Sequence, residues 1–179
     1  MRFWIGVCVV VLAGRSASSA SLVIPTAFDA SFVQKVTTPA HKVVRYTGTL
    51  KVNRTRAFVW AYLQPRVQEI CGDGQEVRII DHDLEQVIVY RVGSLLDPMQ
   101  LLKRAKPHHD HLYTADYHGV TYTLKLDKQG RIEQIAYKDE LDNVVHVRFK
   151  QMRYHDRPFN AAELACPVPR GYDRIRGKR

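Results

Sequence analysis

The chain is poor in the residues that most enzymes and metal proteins depend on. It has only three cysteines, three methionines and two tryptophans in 179 residues. It contains no Gly-x-Ser-x-Gly nucleophile turn, no phosphate-binding glycine loop and no His-Glu-x-x-His pair, which leaves the common hydrolase, nucleotide and zinc-protease chemistries without their signatures. There is no internal repeat, no low-complexity linker, and no apolar run long enough to cross a bilayer as a helix. Acid is scarce relative to base: 18 Asp and Glu stand against 27 Lys and Arg, a formal charge of +9. The length and the 45% hydrophobic content suit one domain with a sizeable core.

The first twenty residues read as something other than that domain. Arg2 gives a positive start, Phe3 to Gly14 is a nearly unbroken apolar run, and Ser18-Ser19-Ala20 offers the small residues a signal peptidase reads. We expect residues 1–20 to be a removable secretory signal and residues 21–179 to be a single domain. Arg15 stands where a lipoprotein processing box would place cysteine, so no lipid anchor is expected. Loss of Arg2 and Arg15 with the leader lowers the net charge from +9 to +7. Export disfavours nucleic acid as the reason for that charge. It leaves anionic membrane surfaces, an acidic protein partner, or simply a solvated basic face. Cys8 departs with the leader. Cys71 and Cys166 remain as an even pair in an oxidising compartment; they are either a disulfide, worth about 4 to 5 kcal/mol for so long a loop, or two buried thiols.

What is abundant is alternation. In Asn53–Pro65, Phe58, Trp60 and Tyr62 fall on one side of an extended strand, and Ala57, Val59, Ala61 and Leu63 fall on the other. A strand apolar on both faces needs two covers, and Arg54 and Arg56 mark the edge of a greasy chamber. Tyr46, Leu50 and Val52 share one face of 41–53 with Val44, opposite Arg45, Thr47, Thr49 and Lys51, with Gly48 as a bulge or bend. Val67–Cys71 and Glu76–Ile80 flank a hairpin turn, and Leu84–Arg91 reads as a further strand. His108–Tyr117 and Val120–Asp127 pair around His118-Gly119, and Arg131–Lys138 and Val144–Tyr154 follow. Ala27–Val36 fits a short helix running into a strand, because Phe28, Phe32 and Val36 suit both periods.

One helix is well marked. Asp97 caps it, Pro98 takes the first position, Leu96 and Leu101 are placed as a staple, and Met99, Leu101, Leu102 and Ala105 form its apolar side. So short a helix must lie on something apolar. The tail from Pro158 to Ile175 is expected to form edge structure under the sheet. His108-His109-Asp110-His111 is the single metal-like cluster; neighbours on an extended segment point apart, so an exposed His-rich loop is the reading preferred to a metal site. No cofactor is expected.

The ordered set Phe28-Asp29-Ala30-Ser31-Phe32-Val33-Gln34-Lys35-Val36, Gly48-Thr49-Leu50, Arg54, Phe58-x-Trp60-x-Tyr62, Gln64-Pro65, Asp73-Gly74 and Leu84-Glu85-Gln86-Val87 resembles the periplasmic outer-membrane lipoprotein carriers, the LolA family. The resemblance implies an unclosed antiparallel β-barrel covered by a lid of short helices, and no enzymatic activity. It implies a periplasmic monomer that takes acylated lipoproteins from an inner-membrane ABC transporter and delivers them to an outer-membrane acceptor. It further implies that Arg54 latches the lid through backbone groups and that Phe58 lies near the cavity mouth. The acyl chamber is expected to draw on Phe58, Trp60, Tyr62, Tyr46, Leu50, Val52, Leu96, Met99 and Leu102. Departures are a short segment before Phe28, Leu164 and Cys166 in place of phenylalanines, and Asn53 and Thr55 beside Arg54. Two other classes stand beside the carrier: a periplasmic sensor of lipoprotein or lipid on the same half-barrel, and a hydrolase with a noncontiguous site.

Overall fold

Period-two alternation runs through most of the chain and yields twelve strands against one helix among the described residues. The computed structural model describes residues 21–91, 97–109 and 111–177; the expected signal and Leu96 lie outside them. The strands are β1 (Ala27–Thr37), β2 (Val43–Asn53), β3 (Ala57–Gln64), β4 (Gln68–Asp73), β5 (Glu76–Asp81) and β6 (Gln86–Arg91). Helix α1 (Pro98–Arg104) follows, then β7 (Lys106–His109), β8 (Leu112–Tyr117), β9 (Val120–Leu126), β10 (Ile132–Lys138), β11 (Val144–His155) and β12 (Asp173–Arg176). They form one sheet in the order β12-β6-β5-β4-β3-β2-β1-β11-β10-β9-β8-β7. It is curved and open, with β12 and β7 as its two edges. All pairs are antiparallel except β12 on β6.

The sequence leaves residues 27–36 between helix and strand, and the structure makes them strand throughout. β1 pairs with β2 along its whole length and with β11 over nearly all of it. A central strand satisfies every backbone donor and acceptor in two ladders, which a helix there would forfeit. Two other boundaries also move. Residues 82–85 form a turn in which the Asp81 carboxylate accepts from the Asp83 and Leu84 amides, so β6 starts at Gln86 rather than Leu84. The run expected to be one strand from His108 breaks at His111, whose φ of 57° separates β7 from β8.

Both faces of β3 are covered, each by different material. Phe58 and Trp60 face the concave side and join a core with Phe28, Phe32, Leu50, Val52, Val147 and Phe149. Val59 faces the convex side and packs with Cys71, Ile80, Val87, Cys166, Val168 and Tyr172. The carboxyl-terminal tail is therefore the second cover that the sequence demands. It is tied down by a Cys71–Cys166 disulfide with a Cα separation of 6.4 Å. Gly48 sits where β2 shifts register against β3. A Cβ there would lie 2.0 Å from the Ala61 carbonyl oxygen and 2.7 Å from the Phe32 ring, so no larger residue fits.

The disulfide closes a separation of 95 residues, for which the chain-entropy relation gives about 4 to 5 kcal/mol. Replacing both cysteines by alanine should lower the unfolding free energy by roughly that amount. Urea unfolding of wild type, variant and reduced wild type checks this: the reduced protein should match the variant.

Candidate functional site

The concave face holds a cavity of about 160 Å³. β3 supplies Phe58, Trp60 and Tyr62; the β4–β5 hairpin supplies Ile70 and Ile79, which face each other across the ladder. The opposite wall is Ile135 and Tyr137 of β10 with Val147 of β11, and Gln34 of β1 completes it. Aromatic rings back the wall: Phe32 lies 5.3 Å from both Trp60 and Tyr62, and Tyr46 lies 5.8 Å from Tyr62. Tyr62 donates to Gln34 Oε1 at 3.0 Å. Burial, with the neighbouring Tyr137 and Tyr46, pushes the Tyr62 hydroxyl well above its ordinary pKa. Burial, with Tyr122 and Asp139, pushes Tyr137 up to about 12. Both phenols stay neutral at any physiological pH, so the wall carries no charge. The Trp60 indole N–H is buried without a hydrogen-bond partner among the described residues.

The cavity opens past Gln34 and Tyr62 into a vestibule of about 310 Å³ lined by Val36, Tyr46, Arg66, Gln68, Asp139 and Asn143. This end of the sheet carries the β1–β2, β3–β4 and β10–β11 turns. Phe58, 2% exposed, lies at the deep end of β3 instead of at this mouth, and Tyr62 and Tyr46 stand there. Leu50, Val52, Met99 and Leu102 are buried in the common core and are not on the cavity surface.

The cavity is small. An apolar cavity near 150 Å³ accepts a benzene ring, so the space present here holds a few carbons and not a long chain. Met99, Leu101 and Leu102 of α1 are all within 1% of complete burial, in the core cluster that also holds Phe58 and Trp60. The helix begins as its sequence prescribes: Asp97 Oδ1 accepts from the Met99 and Gln100 amides at 3.0 and 3.1 Å.

The turn between β2 and β3 holds this arrangement together, with its roles distributed differently from expectation. Among the described residues, the hydrogen bonds of Arg54 go to the lead-in before β1 and not to α1. Its guanidinium donates to the carbonyls of Pro25, at 3.2 Å, and Ile24, pinning the segment before β1. Arg56 meets the helix cap, its Nε 2.7 Å from Asp97 Oδ2. Asn53 pairs with the Phe159 backbone through two bonds of 2.9 Å, holding the tail. Sequence reasoning noted Arg56 as a rim cation but followed the family pattern to Arg54. It also missed Gln34, Ile70, Ile79, Ile135, Tyr137 and Val147. Ile70 and Ile79 were accessible from hairpin register; the β10 and β11 residues reach the site only through the curvature of the whole sheet.

Among the described residues, the three metal-type ligands that converge are Glu69, Cys71 and Cys166, and the disulfide consumes both sulfurs. His108 and His109 are exposed on β7, and Asp110 lies outside the described residues. No described helix is long and apolar enough to span a membrane.

A curved open sheet with an apolar core on its concave face and one short helix packed into that core defines a half-barrel fold. The family model described as outer membrane lipoprotein carrier protein LolA matches residues 25–120. The chain is 29% identical over 149 residues to an outer-membrane lipoprotein carrier protein of Campylobacter jejuni, covering 83% of this chain and 86% of the relative. It is 27% identical over 144 residues to the protein of the same name in Wolinella succinogenes, covering 80% and 83%. Among solved structures, a conserved protein of Thermus thermophilus superposes with a TM-score of 0.54 at 12% identity, covering 86% of this chain and 92% of that one; that likeness concerns the fold. The chain belongs to the LolA family.

Removing Arg56 leaves the Asp97 carboxylate, whose side chain is 7% exposed, short of a partner. A lost charged hydrogen bond of this kind costs about 1.5 to 3 kcal/mol. Arg56→Ala should therefore raise the population with α1 displaced by about ten- to a hundredfold, read as increased binding of an apolar fluorescent dye. Arg54→Ala should instead loosen residues 21–26, read by hydrogen exchange, with little change in dye binding.

Proposed function

We propose that this protein is a periplasmic carrier that shields the acyl chains of lipoproteins, receiving them from an ATP-driven exporter in the inner membrane and releasing them to an outer-membrane acceptor. The observation that carries the reading is the neutral aromatic cavity on the concave face, beside an apolar core into which α1 packs Met99, Leu101 and Leu102. A plugged trough answers the difficulty of an empty carrier, which would otherwise show water a large apolar surface. Arg56 serves as the helix latch, and Arg54 steadies the lead-in to β1.

Magnitudes decide what opens it. Uncovering three large apolar side chains costs about 5 to 9 kcal/mol at roughly 1.5 to 3 each, and breaking the latch adds about 1.5 to 3 kcal/mol. Ten acyl methylenes withdrawn from water return about 8 kcal/mol. One chain roughly balances the cost; two or three exceed it. The carrier thus discriminates in favour of multiply acylated cargo without a specific headgroup contact. The orphan indole N–H of Trp60 supplies one polar anchor, suited to an ester carbonyl at the head of a chain.

In a chain starting at Ser21, Trp60 is the sole tryptophan, because Trp4 lies in the expected leader. Its emission should shift on titration with a triacylated peptide and stay unchanged with a singly acylated one at equal concentration. Equal responses would remove the basis for chain-number selection. Release of a lipoprotein from exporter-containing membrane vesicles into soluble complex tests the carrier role itself, and failure to form that complex would overturn it.

A further inference from the structure

The convex side of β2, β1 and β11 carries a ladder that the carrier reading leaves unused. Strand register places Val43, Thr37 and Val144 on one rung at the vestibule end of the sheet. The next rung on the same face is Arg45, Lys35 and His146, and beyond it come Arg148 beside Val33 and Lys150 beside Ser31. Arg45 and Lys35 lie directly opposite one another, an arrangement that disfavours folding. Neither has an ion-pair partner among the described residues, nor does Lys150, whereas Arg148 is paired with Glu133. The end of this face is apolar and wet: Val43 is 48% exposed, Val144 41%, and Leu141 in the adjoining turn 76%. The acidic groups nearby are mostly committed. Asp139 accepts from the Leu141 and Asn143 amides, and Asp142 is paired with Lys138. That leaves Glu140 as the exposed carboxylate of the turn.

We infer that this end of the sheet is a docking surface for an anionic phospholipid bilayer. Exposed aliphatic tips followed by a band of cations form the pattern of a protein that sits in the interface, with tips among the acyl chains and cations at the phosphates. Successive rungs on one face are about 7 Å apart and three strands span about 10 Å, so the Arg45 and Lys35 rung stands one step behind the apolar tips. The vestibule opens at this same end, between Tyr46, Val36 and Asn143. A protein docked there presents the mouth of its cavity to the membrane surface, so acyl chains move between bilayer and trough with little passage through water. The assignment of that mouth to acyl traffic rests on the carrier reading; the docking itself does not. An acidic protein domain would complement the cations but gives no reason for apolar tips at 41 to 76% exposure.

The experiment is co-sedimentation of the full mature chain with vesicles of phosphatidylcholine alone or mixed with phosphatidylglycerol, at low and high salt. Binding should require phosphatidylglycerol and weaken with salt. Lys35→Glu with Arg45→Glu should lower it at least about tenfold, and Val43→Ser with Leu141→Ser should lower it severalfold. Lys128→Glu with Arg157→Glu makes the same charge change away from this end and should leave binding largely intact. Thermal unfolding monitors folding of each variant. Equal losses for the two charge pairs would reduce the effect to net charge and overturn the assignment. Absence of vesicle binding at low salt would overturn it too, and if the Lys35 and Arg45 pair still blocked uptake from exporter-containing membranes, the partner would be an acidic protein. Docking without any soluble lipoprotein complex would refute the carrier reading alone; a soluble complex without docking would refute this inference alone.

Discussion

One short turn, Asn53 to Arg56, fixes the position of three pieces of chain that are remote in sequence. Asn53 holds the tail at Phe159, Arg54 holds the lead-in at Ile24 and Pro25, and Arg56 holds the helix at Asp97. Each of these pieces covers apolar surface that a bare sheet would expose. The tail covers the convex side of β3, and the helix packs its apolar residues into the concave core beside β8 and β2. The turn itself is strained to do this: Arg56 has a φ of 76°, a conformation an arginine adopts at a cost. Its partner compensates, since Asp97 commits one carboxylate oxygen to the helix cap and the other to Arg56. Helix formation and helix placement therefore share a single side chain.

On the proposed reading, the cavity and the helix-covered core serve as one surface in two states. A cavity wall needs apolar groups that are content without a ligand, and the neutral tyrosines and tightly spaced rings meet that need. The helix supplies thioether and leucine side chains that imitate aliphatic cargo, so exchange of helix for ligand replaces like with like. The contest is then settled by amount of buried surface and not by specific chemistry. Family membership and the physics of the trough lead to the same activity by separate routes.

Much of this was legible before the structure. The period of two gave the strands, the Asp97-Pro98 pair gave the start of α1, and the two-sided greasiness of β3 announced that something must cover it twice. What misled was local ambiguity. Phe28, Phe32 and Val36 are spaced by four, which is even as well as helical, and only the double pairing of β1 resolved the choice. The site was half legible. Phe58, Trp60 and Tyr62 share one strand and could be read together, but Tyr137 and Val147 join them through curvature that no local pattern encodes. The turn was hard to read for a related reason: Arg54 and Arg56 lie two residues apart, and a sequence does not reveal which one a turn with positive φ aims at the helix.

The sheet never closes, and both of its edges are short and guarded. β12 is exposed along its length with two arginines, and β7 carries Lys106, Pro107 and two histidines, all of which discourage another chain from adding to the edge. A closed barrel has its bore set by strand number and shear. An open one is free of that rule. Altered twist and coil can spread such walls or draw them together without a change in strand number. The capacity of this molecule is thus elastic: it is set by how far two guarded edges part, so cargo of different bulk meets one scaffold with a fitted wall.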